Sequence, residues 1–259
     1  MDLVETQSLV HNRHPWELAR AAFFNRIILG AIKGTRPVRV LDIGCGDGWF
    51  SRQLFGKLPA ESELVGWDIA LNDSLLGVFS ADLPSGMSLT NIDPTGTFDI
   101  ILCMDVLEHV PDDVTLLTDL KDRFLRPDGR VLISVPAWMT LFSRHDLKLK
   151  HYRRYSPRLG RGLVDGAGLK ALKKGGLFHG LAAVRALQLV RQGRAQPLAD
   201  PGSYDNADDA VGLGAWSAPA PITAAVTIAL RAEGLLSVAA SVARIELPGL
   251  SWWALCKKP

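Results

Sequence analysis

Short apolar runs and longer amphipathic ones alternate along the first half of the chain. Trp16, Ala19, Phe23 and Ile27 recur at helical spacing, which predicts a helix over residues 15–33 that stops before Gly34. Residues 38–43 form a short apolar run that leads directly into Gly44, Gly46 and Gly48, and the helical pattern resumes over 49–58. A second strand is expected at 63–68 and a helix at 71–79, with a weakly marked third strand at 87–90. Residues 98–104 read as the clearest buried strand, followed by a helix over 112–124. Arg126, Pro127, Asp128 and Gly129 carry turn chemistry, and 131–135 is the next buried strand. Such alternation predicts an α/β fold with a doubly wound, mainly parallel sheet and helices on both faces.

Beyond Pro136 the texture changes. Residues 140–161 are crowded with basic and aromatic side chains, and Ser156 with Pro157 would cap and start a helix. A weak strand signal covers 170–180, a helix 182–192, and a Pro-, Gly-, Asp- and Asn-rich connection 196–214. The last strand, near 251–256, is expected to insert antiparallel beside the fifth and bring the sheet to seven strands. Residues 180–248 would form a helical insertion covering the acceptor pocket. The chain then reads as one domain over 1–259, with an N-terminal helical segment (1–36), a donor half (37–136) and an acceptor half (137–259). Residues 211–230 carry no charge and approach the length of a membrane span, but Pro219 and Pro221 break them. A buried or interfacial helix fits better there. The apolar stretches 181–190 and 222–242 either complete the core or line an apolar channel.

Charge and cysteine content narrow the classes. Across 259 residues, 29 Lys and Arg face 27 Asp and Glu, so the net charge of +2 gives no electrostatic footprint for nucleic acid. Cys45, Cys103 and Cys256 are odd in number and lack CxxC spacing, so neither a disulfide scaffold nor a zinc cluster is expected, and a reducing compartment is. The first twenty residues, with Asp2, Glu5, Arg13 and Glu17, do not read as a signal peptide. A cytoplasmic location is the expectation, with weak attachment to a membrane surface through the apolar helices.

The chemistry concentrates at Asp42-Ile43-Gly44-Cys45-Gly46-Asp47-Gly48-Trp49. A strand meets a helix through a glycine turn, where bare backbone admits a ligand and free N–H groups at the helix start attract an anion. A dinucleotide fingerprint would place its third glycine at position 49, where Trp49 stands. Some twenty residues on, Asp68 closes the second strand, positioned to accept both hydroxyls of a ribose. The ligand therefore has a ribose and an anionic tail but no pyrophosphate.

These residues, with the 98–110 stretch through Met104-Asp105-Val106-Leu107-Glu108-His109 and the approach to the fifth strand over 125–130, resemble the class I S-adenosylmethionine-dependent methyltransferases. The resemblance covers about 38–136. It implies S-adenosylmethionine as donor, S-adenosylhomocysteine as product, and donor contacts from Asp42, Gly44, Cys45, Gly46, Gly48, Asp68, Ile69, Met104, Asp105 and Val106. The family often carries an adenine-binding acid after the third strand. That stretch here offers only Asn91 or Asp93. On the acceptor side, Trp138, Tyr152, Arg153, Arg154 and Tyr155 are candidates for the substrate wall, and His145, His151 and then His109 for the proton acceptor. His11 and His14 lie in an N-terminal segment that could close over the site. The His-Tyr-Arg-Arg-Tyr stretch is similar to one in a subgroup associated with glycan, lipid or secondary-metabolite pathways. The expected function is methyl transfer to O or N of a small-molecule, glycan or lipid-like acceptor. The competing reading is a catalytically silent, partner-binding subunit of the same fold, which would not need both the glycines and Asp68. A nucleic-acid substrate is disfavoured, because Val135-Pro136-Ala137-Trp138 stands where an N/D-P-P-Y/F tetrapeptide would be. Neither a bound metal nor an oligomeric state is implied.

Overall fold

A computed structural model describes residues 13–192, 216 and 218–259. His11 and the connection at 196–214 lie outside the described residues. Seven strands form one sheet: β1 (Arg39–Ile43), β2 (Glu63–Trp67), β3 (Met87–Thr90), β4 (Phe98–Met104), β5 (Leu125–Pro136), β6 (Lys170–Leu177) and β7 (Ser251–Lys257). Their order is β3-β2-β1-β4-β5-β7-β6, with β7 antiparallel to both neighbours and the remaining pairs parallel. Every residue of β4 is buried, as a central strand covered on both faces requires. Trp252 and Trp253 alternate along β7 and so enter the two cores on opposite faces of the sheet.

Among the described residues, eight α-helices surround the sheet: α1 (Pro15–Leu29), α2 (Trp49–Phe55), α3 (Asp73–Ser80), α4 (Asp113–Phe124), α5 (Arg144–Lys148), α6 (Pro157–Gly166), α7 (His179–Gln192) and α8 (Ala220–Val242). Helix α1 ends at Gly30, four residues before the expected stop, where the Gly30 N–H bonds the Arg26 carbonyl. Helix α6 starts on Ser156, whose side chain accepts from the Leu159 N–H, with Pro157 in the first turn. The turn expected at 126–129 does not interrupt its strand. Leu125 pairs with Phe98 and Arg130 with Ile100, so these four residues loop out of the ladder and β5 continues on both sides.

Helix α8 turns Thr227, Leu230, Gly234, Ser237 and Ser241 inward, a stripe of mostly small residues at helical spacing. It packs on α1 and β6. Gly234 lets it sit close to α1, since a Cβ there would lie 3.2 Å from the Phe23 ring. The insertion therefore completes one core layer. Its opposite face is apolar and exposed: Ile228, Leu235 and Val242, one every seventh residue, are 66%, 50% and 67% exposed.

Candidate functional site: a glycine-loop crevice at the carboxyl edge of the sheet

Strand order reverses direction between β1 and β4, and ligands of open α/β sheets lie outside the carboxyl ends of the strands at such a point. Gly44, Gly46 and Gly48 occupy that edge with φ of 65°, 57° and 71°, a region that disfavours side chains. At Gly44 the approach is also close, because a Cβ would fall 2.6 Å from Val106 Cγ2. The Gly44 N–H bonds the Trp67 carbonyl at 2.8 Å, which ties the loop to the end of β2. Asp42 is buried beneath the loop and accepts from the Ser51 hydroxyl, pinning α2 to β1. Burial pushes its carboxyl up to about 6. The Cys45 side chain packs with Leu71 and Phe79, and burial pushes its thiol well above the ordinary range, so it is no nucleophile.

Asp68 accepts from the Gly46 N–H and the Ala70 N–H, each at 2.9 Å, one on each oxygen. A carboxylate has about four lone-pair sites, so two are left for a ligand. The neighbouring Ile69 is 83% exposed on the crevice side of the strand end. Of the adenine candidates, Asn91 donates to the Leu71 carbonyl at 2.8 Å, and Asp93 is paired with Arg123. Met104 is buried at the end of β4, and Asp105 follows with φ 56° and its N–H on the Ser134 carbonyl at 2.8 Å.

Two residues of this crevice escaped the sequence reading. Arg20 of α1 holds the Asp105 carboxylate at 2.6 Å, and Arg13 pairs with Asp47 of the glycine loop and stacks over the Trp49 ring. Arg13, just before α1, and Glu17 and Arg20 within it stand at i, i+4 and i+7 on one side, and that spacing was the available signal. His14 caps the start of α1. Its Nδ1 accepts from the Trp16 N–H and forms a capping box with Glu17.

The acceptor side is organised around Asp146. This buried carboxylate accepts from the Ser143 N–H (2.9 Å), the Ser143 hydroxyl (3.0 Å) and Arg154 Nε (2.6 Å), and meets His151 Nδ1 at 3.0 Å. Burial pushes its carboxyl up, but the His151 hydrogen bond and the Arg154 charge outweigh that and hold it well below the usual range. An ionised Asp146 draws the His151 proton to Nδ1 and leaves a lone pair on Nε2. Tyr152 donates its N–H to the Glu108 carbonyl at 2.8 Å, bringing His151 edge-on to His109 with ring centroids 4.6 Å apart. Glu108 is buried, neither of its carboxylate oxygens has a hydrogen-bond partner, and burial together with the charge of Asp105 pushes its carboxyl well up. His145 is half-buried on α5.

Two of the five substrate-wall candidates are structural. Arg154 is consumed by Asp146, and Tyr155 is buried with its hydroxyl donating to Asp113 at 2.6 Å. In this segment the carboxylates of buried Asp146 and half-buried Asp113, whose placement a reading of residue types does not show, turn those side chains inward. Arg153 bonds the Pro111 carbonyl and pairs with Asp113 at 3.0 Å. Tyr152 stays half-buried. Trp138 sits at φ 66°, rare for so bulky a residue, held by its ring N–H on the Gly249 carbonyl at 2.9 Å.

A profile of the methyltransferase domain family matches residues 11–173, and the chain belongs to that family. It is 35% identical over 111 residues to the ubiquinone biosynthesis O-methyltransferase of Aromatoleum aromaticum, covering 39% of this chain and 45% of that protein. The corresponding protein of Vibrio cholerae is 28% identical over 116 residues, covering 41% and 45%. The chain thus spans less than half the length of the curated relatives it matches. Its fold is that of a SAM-dependent methyltransferase from Archaeoglobus fulgidus (TM-score 0.50, 16% identity, 94% of each chain). It is equally that of the methyltransferase bound to the Trm112 activator in Haloferax volcanii (TM-score 0.52, 14% identity, 94% of each chain). The crevice has the features that S-adenosylmethionine, the donor expected from the sequence, would require. Bare backbone at Gly44 faces Val106, and Asp68 has acceptor capacity for a ribose diol.

Proposed function

We propose that this protein transfers a methyl group from S-adenosylmethionine to a hydroxyl oxygen of a small, largely apolar acceptor. The intact donor crevice carries this reading: the glycine loop, Asp68 and the Arg20–Asp105 pair belong to one surface, and a silent subunit has no use for all three. The name O-methyltransferase borne by the curated relatives supports oxygen over nitrogen. Bound there, the donor supplies an electrophilic methyl carbon on a sulfonium that leaves as a neutral thioether. The chain's own work is to hold nucleophile and methyl carbon in line and to take the acceptor's proton. The His151 Nε2 lone pair, oriented through Nδ1 by Asp146, is the group suited to that proton.

The exposed stripe of Ile228, Leu235 and Val242 supports an acceptor drawn from lipid. The 23-residue α8 is long and apolar enough to cross a membrane by length and composition. It packs on α1 and β6 here, so we read it as resting on a lipid surface rather than spanning it. The test is transfer of a labelled methyl group from S-adenosylmethionine to alkylated phenols and catechols presented in detergent. Label on the phenolic oxygen supports the proposal. Label found only in added RNA or protein overturns it.

A further inference from the structure

Glu108, His109 and His151 converge from two separate parts of the chain. One carboxylate oxygen and one nitrogen from each ring lie within 4.8 Å of one another. Glu108 is 1% exposed and neither oxygen finds a hydrogen-bond donor, an arrangement that protein interiors tolerate when the carboxylate meets a cation. Behind His151 stands Asp146 at 3.0 Å from Nδ1, the carboxylate–histidine pairing that fixes a metal-bound imidazole with Nε2 toward the ion. Asp105 beside Glu108 is paired with Arg20, and the nearby Arg154 is paired with Asp146, so neither pair supplies Glu108 with a counter-charge of its own.

We propose that Glu108, His109 and His151 bind one divalent transition-metal ion at the acceptor side of the donor crevice. Two imidazoles and one carboxylate suit zinc, iron, manganese or cobalt, whereas magnesium and calcium ask for oxygen ligands throughout. Donor atoms held tetrahedrally at about 2.1 Å from one ion lie about 3.4 Å apart, so the widest pair, within 4.8 Å here, closes by up to about 1.4 Å on binding. Three protein ligands leave coordination positions open. The consequence for catalysis rests on the hydroxyl-acceptor reading above. An acceptor oxygen bound to the ion loses its proton to water near neutral pH and attacks as the metal-held alkoxide or phenolate. With the ion bound the proton goes to solvent, and the His151 lone pair holds the ion in place of the proton-accepting role it has in the metal-free protein.

The experiment is a titration of metal-stripped, full-length protein carrying no histidine tag. Cobalt(II) is followed by visible absorption and zinc(II) by competition against it. One ion per chain is expected, with Glu108→Gln and His151→Ala each weakening cobalt binding by at least about 100-fold. Adenosylhomocysteine binding, measured on the same samples, stays within about threefold of wild type, so loss of the metal site is read separately from loss of the donor site. If Glu108→Gln fails to melt cooperatively, His109→Ala decides by the same criterion. Absence of cobalt binding up to millimolar concentration in the wild-type protein overturns the proposal. Unchanged affinity in the ligand variants overturns it as well.

Discussion

Gly44→Ala probes the donor loop at its tightest point. Two penalties add. The left-handed backbone, φ 65°, costs a residue with a Cβ about 1–2 kcal/mol. The methyl group would lie 2.6 Å from Val106 Cγ2, and a β-branched neighbour cannot swing aside freely, so overpacking adds about 1–3 kcal/mol. A total of about 2–5 kcal/mol is a large fraction of a typical domain's stability. Urea unfolding followed by circular dichroism reads the stability, and calorimetry with adenosylhomocysteine reads the crevice, where displacement of Val106 should weaken binding about tenfold or more. Gly44→Ala combined with Val106→Ala separates the two causes. It removes the collision and keeps the backbone cost, so about 1–3 kcal/mol should return relative to the sum of the single variants. A Gly44→Ala protein within about 0.5 kcal/mol of wild type and with normal ligand affinity would refute the reasoning. So would the absence of any recovery in the double variant, as far as Val106 is concerned.

Other consequences are open to simple assays. Asp146→Ala leaves Arg154 buried without its partner and should cost about 3–5 kcal/mol in urea unfolding. Because the folded Asp146 carboxyl lies below its ordinary value, the stability it lends is present above about pH 4 and is lost as pH falls further; the variant should lack that acid-side loss. Asp42 has the opposite sign: its carboxyl rises from 3.8 to about 6 on folding, so the protein loses about 3 kcal/mol from this group as pH rises across that window. Asp42→Asn should abolish that slope while keeping an acceptor for Ser51, which unfolding midpoints at several pH values would reveal. In liposome flotation the wild-type protein should rise with the vesicles at low and high salt, and Ile228→Asp with Val242→Asp should leave it at the bottom; equal flotation of both would remove the stripe from the account.

The sheet was readable because its strands are short apolar runs between helix-period segments, and because β4 is apolar enough to declare itself central. Even the poorly marked β3 fell at residues 87–90 as expected. Termini were legible only where a cap has a single meaning. Ser156 with Pro157 fixed the start of α6, whereas α1, expected to run to Gly34, ends at Gly30, where backbone hydrogen bonding closes it. The loop at 126–129 carries turn residues, yet parallel pairing with β4 resumes beyond it, a long-range contact that local chemistry does not encode.

The donor crevice was legible for a similar reason, since its glycines and Asp68 lie on one contiguous strand–turn–helix unit and the next strand. The acceptor side was not. Whether Arg154, Tyr155 and His151 face a ligand depends on the buried Asp146 and the half-buried Asp113, acids on other elements that recruit them by charge and hydrogen bonding. Likewise the convergence of Glu108 and His109 with His151 is produced by the tertiary bond between Tyr152 and Glu108.

The central claim is that the crevice bounded by Gly44, Asp68 and Asp105 holds S-adenosylmethionine. Isothermal titration of the full-length protein with adenosylhomocysteine tests it most directly, with Asp68→Ala as the paired sample. The account predicts one site per chain and a weakening of about 10- to 100-fold in the variant, equivalent to losing charge-assisted hydrogen bonds of about 1.5–3 kcal/mol. No binding at millimolar ligand, or equal binding by wild type and Asp68→Ala, would contradict it.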